Sequence, residues 1–268
     1  MTCQDILPDL KAWFSDYVET FLSGDPDYRR NIELKVDHTR RVCAEILDVG
    51  KSLGLKGEDL CLAEATALFH DIGRFEQYAR YGTYRDLVSE DHAVLGVRVL
   101  RENRVLERFE PPTRDLILRT VSYHNRAALP ENETERCLYF SRLLRDADKL
   151  DIWRVVTDYY TQKNGTRNET IELDLPDTPG ISDRVYEDLM AGRLVRVDCL
   201  RTLNDFKLLQ MGWIFDINFP RTFQLVLERA YIKTIRDTLP PSERVSEVFS
   251  RVQSHLEKHC RSTQEAKI

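Results

Sequence analysis

The chain has 268 residues, 42% of them hydrophobic and 31% charged, with a formal net charge of -6. That composition can bury one substantial core and offers no general electrostatic attraction to extended nucleic acid or an anionic membrane, so a small or locally recognised partner is expected. Apolar runs are too short to span a bilayer, and "MTCQDILPDLKAW" lacks a basic flank and a hydrophobic signal core, which sets the expectation of a cytoplasmic protein with no membrane partner.

In chain order, apolar residues three and four apart predict helices over roughly 8–22, 31–54, 58–72, 89–103, 112–128, 132–162, 200–217, 221–238 and 242–259. Breaks fall at "SGDPD" (23–27), "LGLKGED" (53–59), "FEPPT" (109–113) and "DLPDTPG" (174–180), and Ser89 and Thr113 are the expected N-caps. Between 163 and 199, "TIELDL" and "LVRVDC" alternate like short strands and "NGT" reads as a turn, so a small hairpin or irregular cap is expected there. The reading is a single all-α domain over 1–268. The cysteines at 3, 43, 61, 137, 199 and 260 show no C-x-x-C pair or regular spacing, which argues against a disulfide framework and for reduced thiols. Acceptor-like N-x-[ST] triplets at Asn132, Asn164 and Asn168 are treated as chance matches.

The unusual residues face inward. His38 lies on the stripe of Val42, Ile46, Val49 and Leu53; His70 follows Ala63 and Ala67; His92 precedes Leu95 and Val99; His124 follows Ile117 and Val121. Asp148 falls in line with Leu144 and Ile152, so an ionised carboxylate interrupts an apolar stripe, which is costly unless compensated. One inward histidine is ordinarily a core residue bonded to a carbonyl. Four of the chain's six, accompanied by Asp71 and Asp148, point to a shared divalent metal site of iron, manganese, zinc or a similar ion. Gly73 would permit the bend that lets His70 and Asp71 converge.

His38, then His70-Asp71, then Asp148 resembles the H…HD…D signature of the HD superfamily of metal-dependent phosphohydrolases, and His92 and His124 extend it to the form that holds two metals. The resemblance covers about 30–160, with "LFHDIGRF" and "RDADKLDIW" its most specific stretches. It implies a compact helical HD core over that range; the C-terminal third carries no assignable motif, and from its own periodicity a mostly helical cap is expected over about 161–260. It also implies a first ion on His38, His70, Asp71 and Asp148, with Asp71 bridging to a second on His92 and His124. Among the three carboxylates of "RDADKLD", helical phase and the resemblance select Asp148. Asp146, about 200° around the helix, is expected to be solvated or to orient a histidine.

Metal-activated water attacking a small phosphomonoester or nucleotide-like phosphodiester is the chemistry such a site supports. Asp71 and Arg74 are the expected catalytic pair, and Arg74, Lys149 and Arg126 the candidate substrate-binding cations; for Arg74 the competing outcome is pairing with Glu76 or another surface carboxylate. Relatives with two metals place a lysine where Arg74 stands, and many have a second histidine where Asn125 stands. "YARYGTYRDLVSEDH" (78–92) is a candidate substrate loop, although Tyr78, Tyr81 and Tyr84 packing on the bundle is the commoner result. Trp213 and Phe215 are expected in a core. P-loop, Rossmann, nucleophile-elbow and H-E-x-x-H motifs are missing from the sequence. A di-iron oxygenase of the same superfamily and a nucleotide-binding regulatory module are the alternatives, and a homo-oligomer is compatible with all three.

Overall fold

The computed structural model describes residues 2–22, 24–162 and 168–265, and the chain divides into two compact units, Met1–Asp151 and Ile152–Ile268. The regular structure among the described residues is helical, with no strand.

The first unit begins with α1 (Cys3–Glu19), started by a capping box in which Thr2 and Asp5 exchange side-chain and backbone bonds. Its apolar residues at steps of four, Ile6, Leu10, Phe14 and Val18, are all buried. After it come α2 (Pro26–Ser52), with Asp25 as N-cap and Pro26 in the first turn, and α3 (Gly57–Phe69), against which both α1 and α2 pack. The bundle is completed by α4 (Gly73–Tyr81), a 3₁₀ turn over Asp86–Val88, α5 (His92–Glu102), α6 (Pro111–Tyr123) and the long α7 (Glu135–Thr161), whose last ten residues belong to the second unit.

Only three residues, His70 to Ile72, separate α3 from α4. This junction presses against the start of α5, and a Cβ added to Gly73 would lie 2.2 Å from the His92 carbonyl oxygen and 2.5 Å from the Gly96 nitrogen. Two glycines facing each other therefore let backbones approach at the point where His70, Asp71 and His92 emerge.

In the second unit, α8 (Glu169–Glu172), α9 (Asp183–Met190), α10 (Leu203–Gly212), α11 (Pro220–Glu228), α12 (Tyr231–Asp237) and α13 (Glu243–Glu265) follow in order, with 3₁₀ turns at Val197–Cys199 and Trp213–Asp216. Helix α13 buries Val245, Val248, Val252 and Leu256 and packs against α9, α11 and α12. Trp153 is fully buried beside Trp213 and Tyr231 and donates its indole N–H to the Gln210 carbonyl at 2.9 Å.

Several expectations are corrected. No hairpin forms among the described residues of 163–199: Leu173 and Asp174 both take left-handed φ, 53° and 60°, which a strand cannot accommodate, and "LVRVDC" ends in a 3₁₀ turn. The "NGT" triplet lies outside the described residues. Asp91, not Ser89, caps α5, accepting from the Ala93 and Val94 amides, because Ser89 closes the preceding 3₁₀ turn. Thr113 lies inside α6, which starts at Pro111, where a missing N–H costs nothing. The helix expected over 221–238 is two helices broken at left-handed Ala230, and "YARY" is the end of α4 rather than loop. Cys3 and Cys61 form a disulfide across the α1–α3 contact, with Cα atoms 6.0 Å apart, while Cys43, Cys137, Cys199 and Cys260 are free thiols. A pairing 58 residues apart leaves no local sequence signal.

Replacing Gly73 with alanine is expected to destabilise the fold by about 1–3 kcal/mol, the usual cost of forcing atoms into a packed contact. Equilibrium denaturation with an unchanged midpoint would show that the junction yields freely.

Candidate metal centre

Four imidazoles converge in the first unit from four different local settings. His38 projects from the middle of α2, one turn before buried Val42, and His92 is the first residue of α5. His70 and His124 occupy equivalent places, each the residue that closes a helix, α3 and α6 respectively. The last carbonyls of a helix have no intrahelical partner, and both histidines answer one of them: Nδ1 of His70 donates to the Ala67 carbonyl and Nδ1 of His124 to the Val121 carbonyl, both at 2.7 Å. The other two are anchored by carboxylates. His38 Nδ1 lies 2.7 Å from Asp151 Oδ2, and His92 Nδ1 lies 2.7 Å from Asp86 Oδ2.

These partners set the tautomer. A carbonyl can only accept, and Asp151 and Asp86 are held below the usual carboxylate range: burial opposes this in both, but the bond to His38 and the Arg41 guanidinium outweigh it at Asp151, as His92 and Arg74 do at Asp86. Each Nδ1 therefore carries the hydrogen, and each Nε2 is the ring nitrogen turned inward. Burial pushes the proton affinities of His70 and His92 down to about 4, so both are neutral at pH 7. At His38 burial also disfavours the charge, but the bonds to Asp148 and Asp151 prevail and its pKa is raised.

The Nε2 atoms fall into two pairs, His38 with His70 at 3.2 Å and His92 with His124 at 2.9 Å. Lone pairs placed face to face at this separation repel unless a proton or cation lies between them. Two donors about 2.0–2.1 Å from one ion stand roughly 3.0–3.4 Å apart, so the spacing suits a shared metal. Asp71 lies between the pairs. Its Oδ2 is 3.6 Å from His38 Nε2 and 3.7 Å from His70 Nε2, while Oδ1 is 3.3 Å from His92 Nε2 and 3.5 Å from His124 Nε2. Asp148 joins the first pair, with Oδ1 3.1 Å from His38 Nε2 and 3.7 Å from His70 Nε2. Burial alone would raise the Asp71 pKa, but Lys35, His70, the contact with His124 and Arg74 together hold it well below the usual range, so it is ionised. All six residues expected as ligands are thus brought together, and the donor set fits a divalent transition ion.

The expected cations are placed differently. Arg74 does not pair with Glu76, which binds Arg80; its Nη1 donates to the Gln77 side chain, to the Tyr84 carbonyl and to Asp86 Oδ1. Its Nε is 3.5 Å from Asp71 Oδ1. Lys149 is buried, and Arg126 is exposed with its guanidinium over the Tyr123 ring at 4.6 Å. Asp146 is fully buried rather than solvated, and the carboxylate that orients His38 is Asp151. Asn125 donates to Asp91 Oδ1 at 3.1 Å. Tyr84 is buried and stacks on Tyr78, whereas Tyr81 is exposed, so packing describes this segment better than an open substrate loop.

Sequence reasoning missed Asp151, Asp86, Lys35 and Gln77. Asp151 stands one turn from Asp148 and Lys35 one turn from His38, so helical phase could have found both. Asp86 sits in a 3₁₀ turn with no periodic signal. Gln77 donates to Asp86, to Ser89 Oγ and to the Glu90 carbonyl, which ties the segment before α5 to α4.

Residues 36–153 match the family model for the HD domain, that of a superfamily of metal-dependent hydrolases. No curated protein and no solved structure matches the chain. Among the described residues no helix is long and apolar enough to cross a membrane.

Partners that orient metal-binding histidines commonly govern affinity by 10–100-fold. Asp151→Asn is expected to weaken one metal equivalent by about that factor and Asp86→Asn the other, read by chelator competition. If either change weakened both equivalents alike, the two pairs would not act as separate sites. Saturating metal is also expected to raise Tm and chelation to lower it, because bound cation offsets the buried charge of Asp71.

Proposed function

We propose that the HD domain this chain carries over residues 36–153 is a metal-dependent phosphohydrolase, cleaving a small phosphomonoester or a nucleotide-like phosphodiester. The supporting observation is Asp71, a buried ionised carboxylate whose two oxygens face two separate imidazole pairs. His38, His70, Asp71 and Asp148 would hold one ion, and Asp71, His92 and His124 a second, with iron, manganese or zinc suited to the donors. Ions so held lower the pKa of bound water toward neutrality and neutralise charge on phosphoryl oxygens.

The protein's own contribution is orientation and charge. Asp151 and Asp86 fix two rings, and the Ala67 and Val121 carbonyls fix the other two, so no imidazole needs to reorient when a ligand arrives. Burial keeps His70 and His92 unprotonated, leaving their lone pairs available at neutral pH. Solvent reaches the cluster at Asp148, Lys35 and Arg74, whose side chains are 16%, 18% and 15% exposed, and an anionic substrate would approach through these openings.

The test is metal content with turnover. Wild type is expected to hold two equivalents by elemental analysis, falling toward one in His92→Ala. Asp71→Ala is expected to lose at least about a hundredfold in phosphomonoesterase or phosphodiesterase turnover. Full turnover in metal-loaded Asp71→Ala would sink the reading. Two irons with a mixed-valence signal and oxygen consumption would replace it with the oxygenase. Trace turnover with tight nucleotide binding would replace it with the regulatory module.

A further inference from the structure

A phosphoryl group needs a cationic donor beside the metal ligands, and the motif position for it is Arg74. Its geometry assigns it elsewhere. Three of its contacts run from one nitrogen, Nη1, to Gln77, the Tyr84 carbonyl and Asp86, and Asp86 in turn grips His92. Arg74 is thereby built into the support of the His92 ring.

Lys35 meets the requirement better. It lies one turn before His38 on the same face of α2, and its Nζ is 2.9 Å from Asp71 Oδ2, the oxygen that faces the His38–His70 pair. Its ammonium also sits 5.4 Å from the centre of the Tyr84 ring. That ring is fixed from the other side, since Tyr84 Oη donates to the carbonyl of Asn31, one turn further back on α2. Backbone, aromatic face and carboxylate thus hold Lys35 at the solvent-reached edge of the cluster, and an ammonium with three donors can keep Asp71 and still offer a hydrogen to an incoming oxygen.

We propose that Lys35 binds a non-bridging phosphoryl oxygen of the substrate, and that Arg74 is a positioning residue acting through Asp86 on His92. This rests on the hydrolase reading, and the experiment separates the two. The probe is inorganic phosphate, titrated by calorimetry into metal-loaded protein whose metal content and Tm are measured in parallel. Lys35→Met is expected to keep its metal and weaken phosphate binding by about tenfold or more, with a matching rise in KM for an ester substrate, and Lys35→Arg to recover much of the loss. Arg74→Gln is expected to lower the affinity for one metal equivalent while phosphate affinity at saturating metal stays within about threefold of wild type. Wild-type phosphate affinity in metal-loaded Lys35→Met would overturn the proposal. So would loss of phosphate binding in Arg74→Gln with both metals retained. If wild type itself, with both metals bound, neither takes up phosphate nor turns over any ester, the hydrolase reading falls and the role of Lys35 falls with it.

Discussion

A single negative charge organises the first unit. Asp71 is 3% exposed, and an ionised carboxylate in such a place is tolerated only where positive charge or aligned donors surround it. Lys35 and Arg74 approach it from two helices, and four imidazole edges converge on its two oxygens. The three-residue junction between α3 and α4 puts the carboxylate at that point, and the Gly73–Gly96 contact brings the start of α5, with His92, close enough to meet it. A side chain at Gly73 would separate precisely those elements that supply opposite ends of the site, so local backbone choice and site chemistry are one constraint.

The same local solution appears twice. In each pair one histidine closes a helix and donates back to that helix's last turn, and the other is held by a carboxylate. A helix-closing histidine satisfies a carbonyl that would otherwise lack a partner, so its orientation comes with helix formation itself. The carboxylate-held partners depend on tertiary structure. Asp151 reaches His38 from α7 and also takes the Arg41 guanidinium, whereas Asp86 reaches His92 from a 3₁₀ turn that Arg74 and Gln77 must first hold. The first pair is therefore anchored by regular helices, and the second by a short irregular segment tied down through side chains.

That difference explains what could be read from sequence. Residues on long helices announced their direction: the stripes containing His38, His70, His92 and His124 run through Val42, Ala67, Leu95 and Val121, all fully buried, and the histidines are buried with them. All-α architecture followed from the same periodicity. Whatever depended on a turn, a single left-handed residue or a distant pairing was silent. Nothing in "TIELDL" marks the two left-handed residues that exclude a strand, nothing near Ala230 marks a helix break, and the Cys3–Cys61 pairing arises only once α1 lies on α3. The chemistry of Asp86 was hidden for the same reason, because its neighbours in space come from α4 and α5 rather than from its own segment.

A motif specifies backbone positions around a centre, and for short side chains such as aspartate or histidine the position nearly determines where the polar atom lies. Arginine and lysine reach several ångströms further, so their heads go wherever the best acceptors are. Arg74 stands at the motif position yet its fork is drawn to Asp86, a carboxylate that itself must stay fixed to orient His92. Lys35 stands outside the motif, and its head is carried to Asp71 because helical phase aligns it with His38, with the Tyr84 ring beside the ammonium. The six residues that converge around Asp71 could be chosen by position. The cation that meets the substrate has to be chosen by what each charged head already holds, and on that criterion the carboxylate requiring permanent support keeps the arginine, leaving the more adaptable ammonium at the open edge.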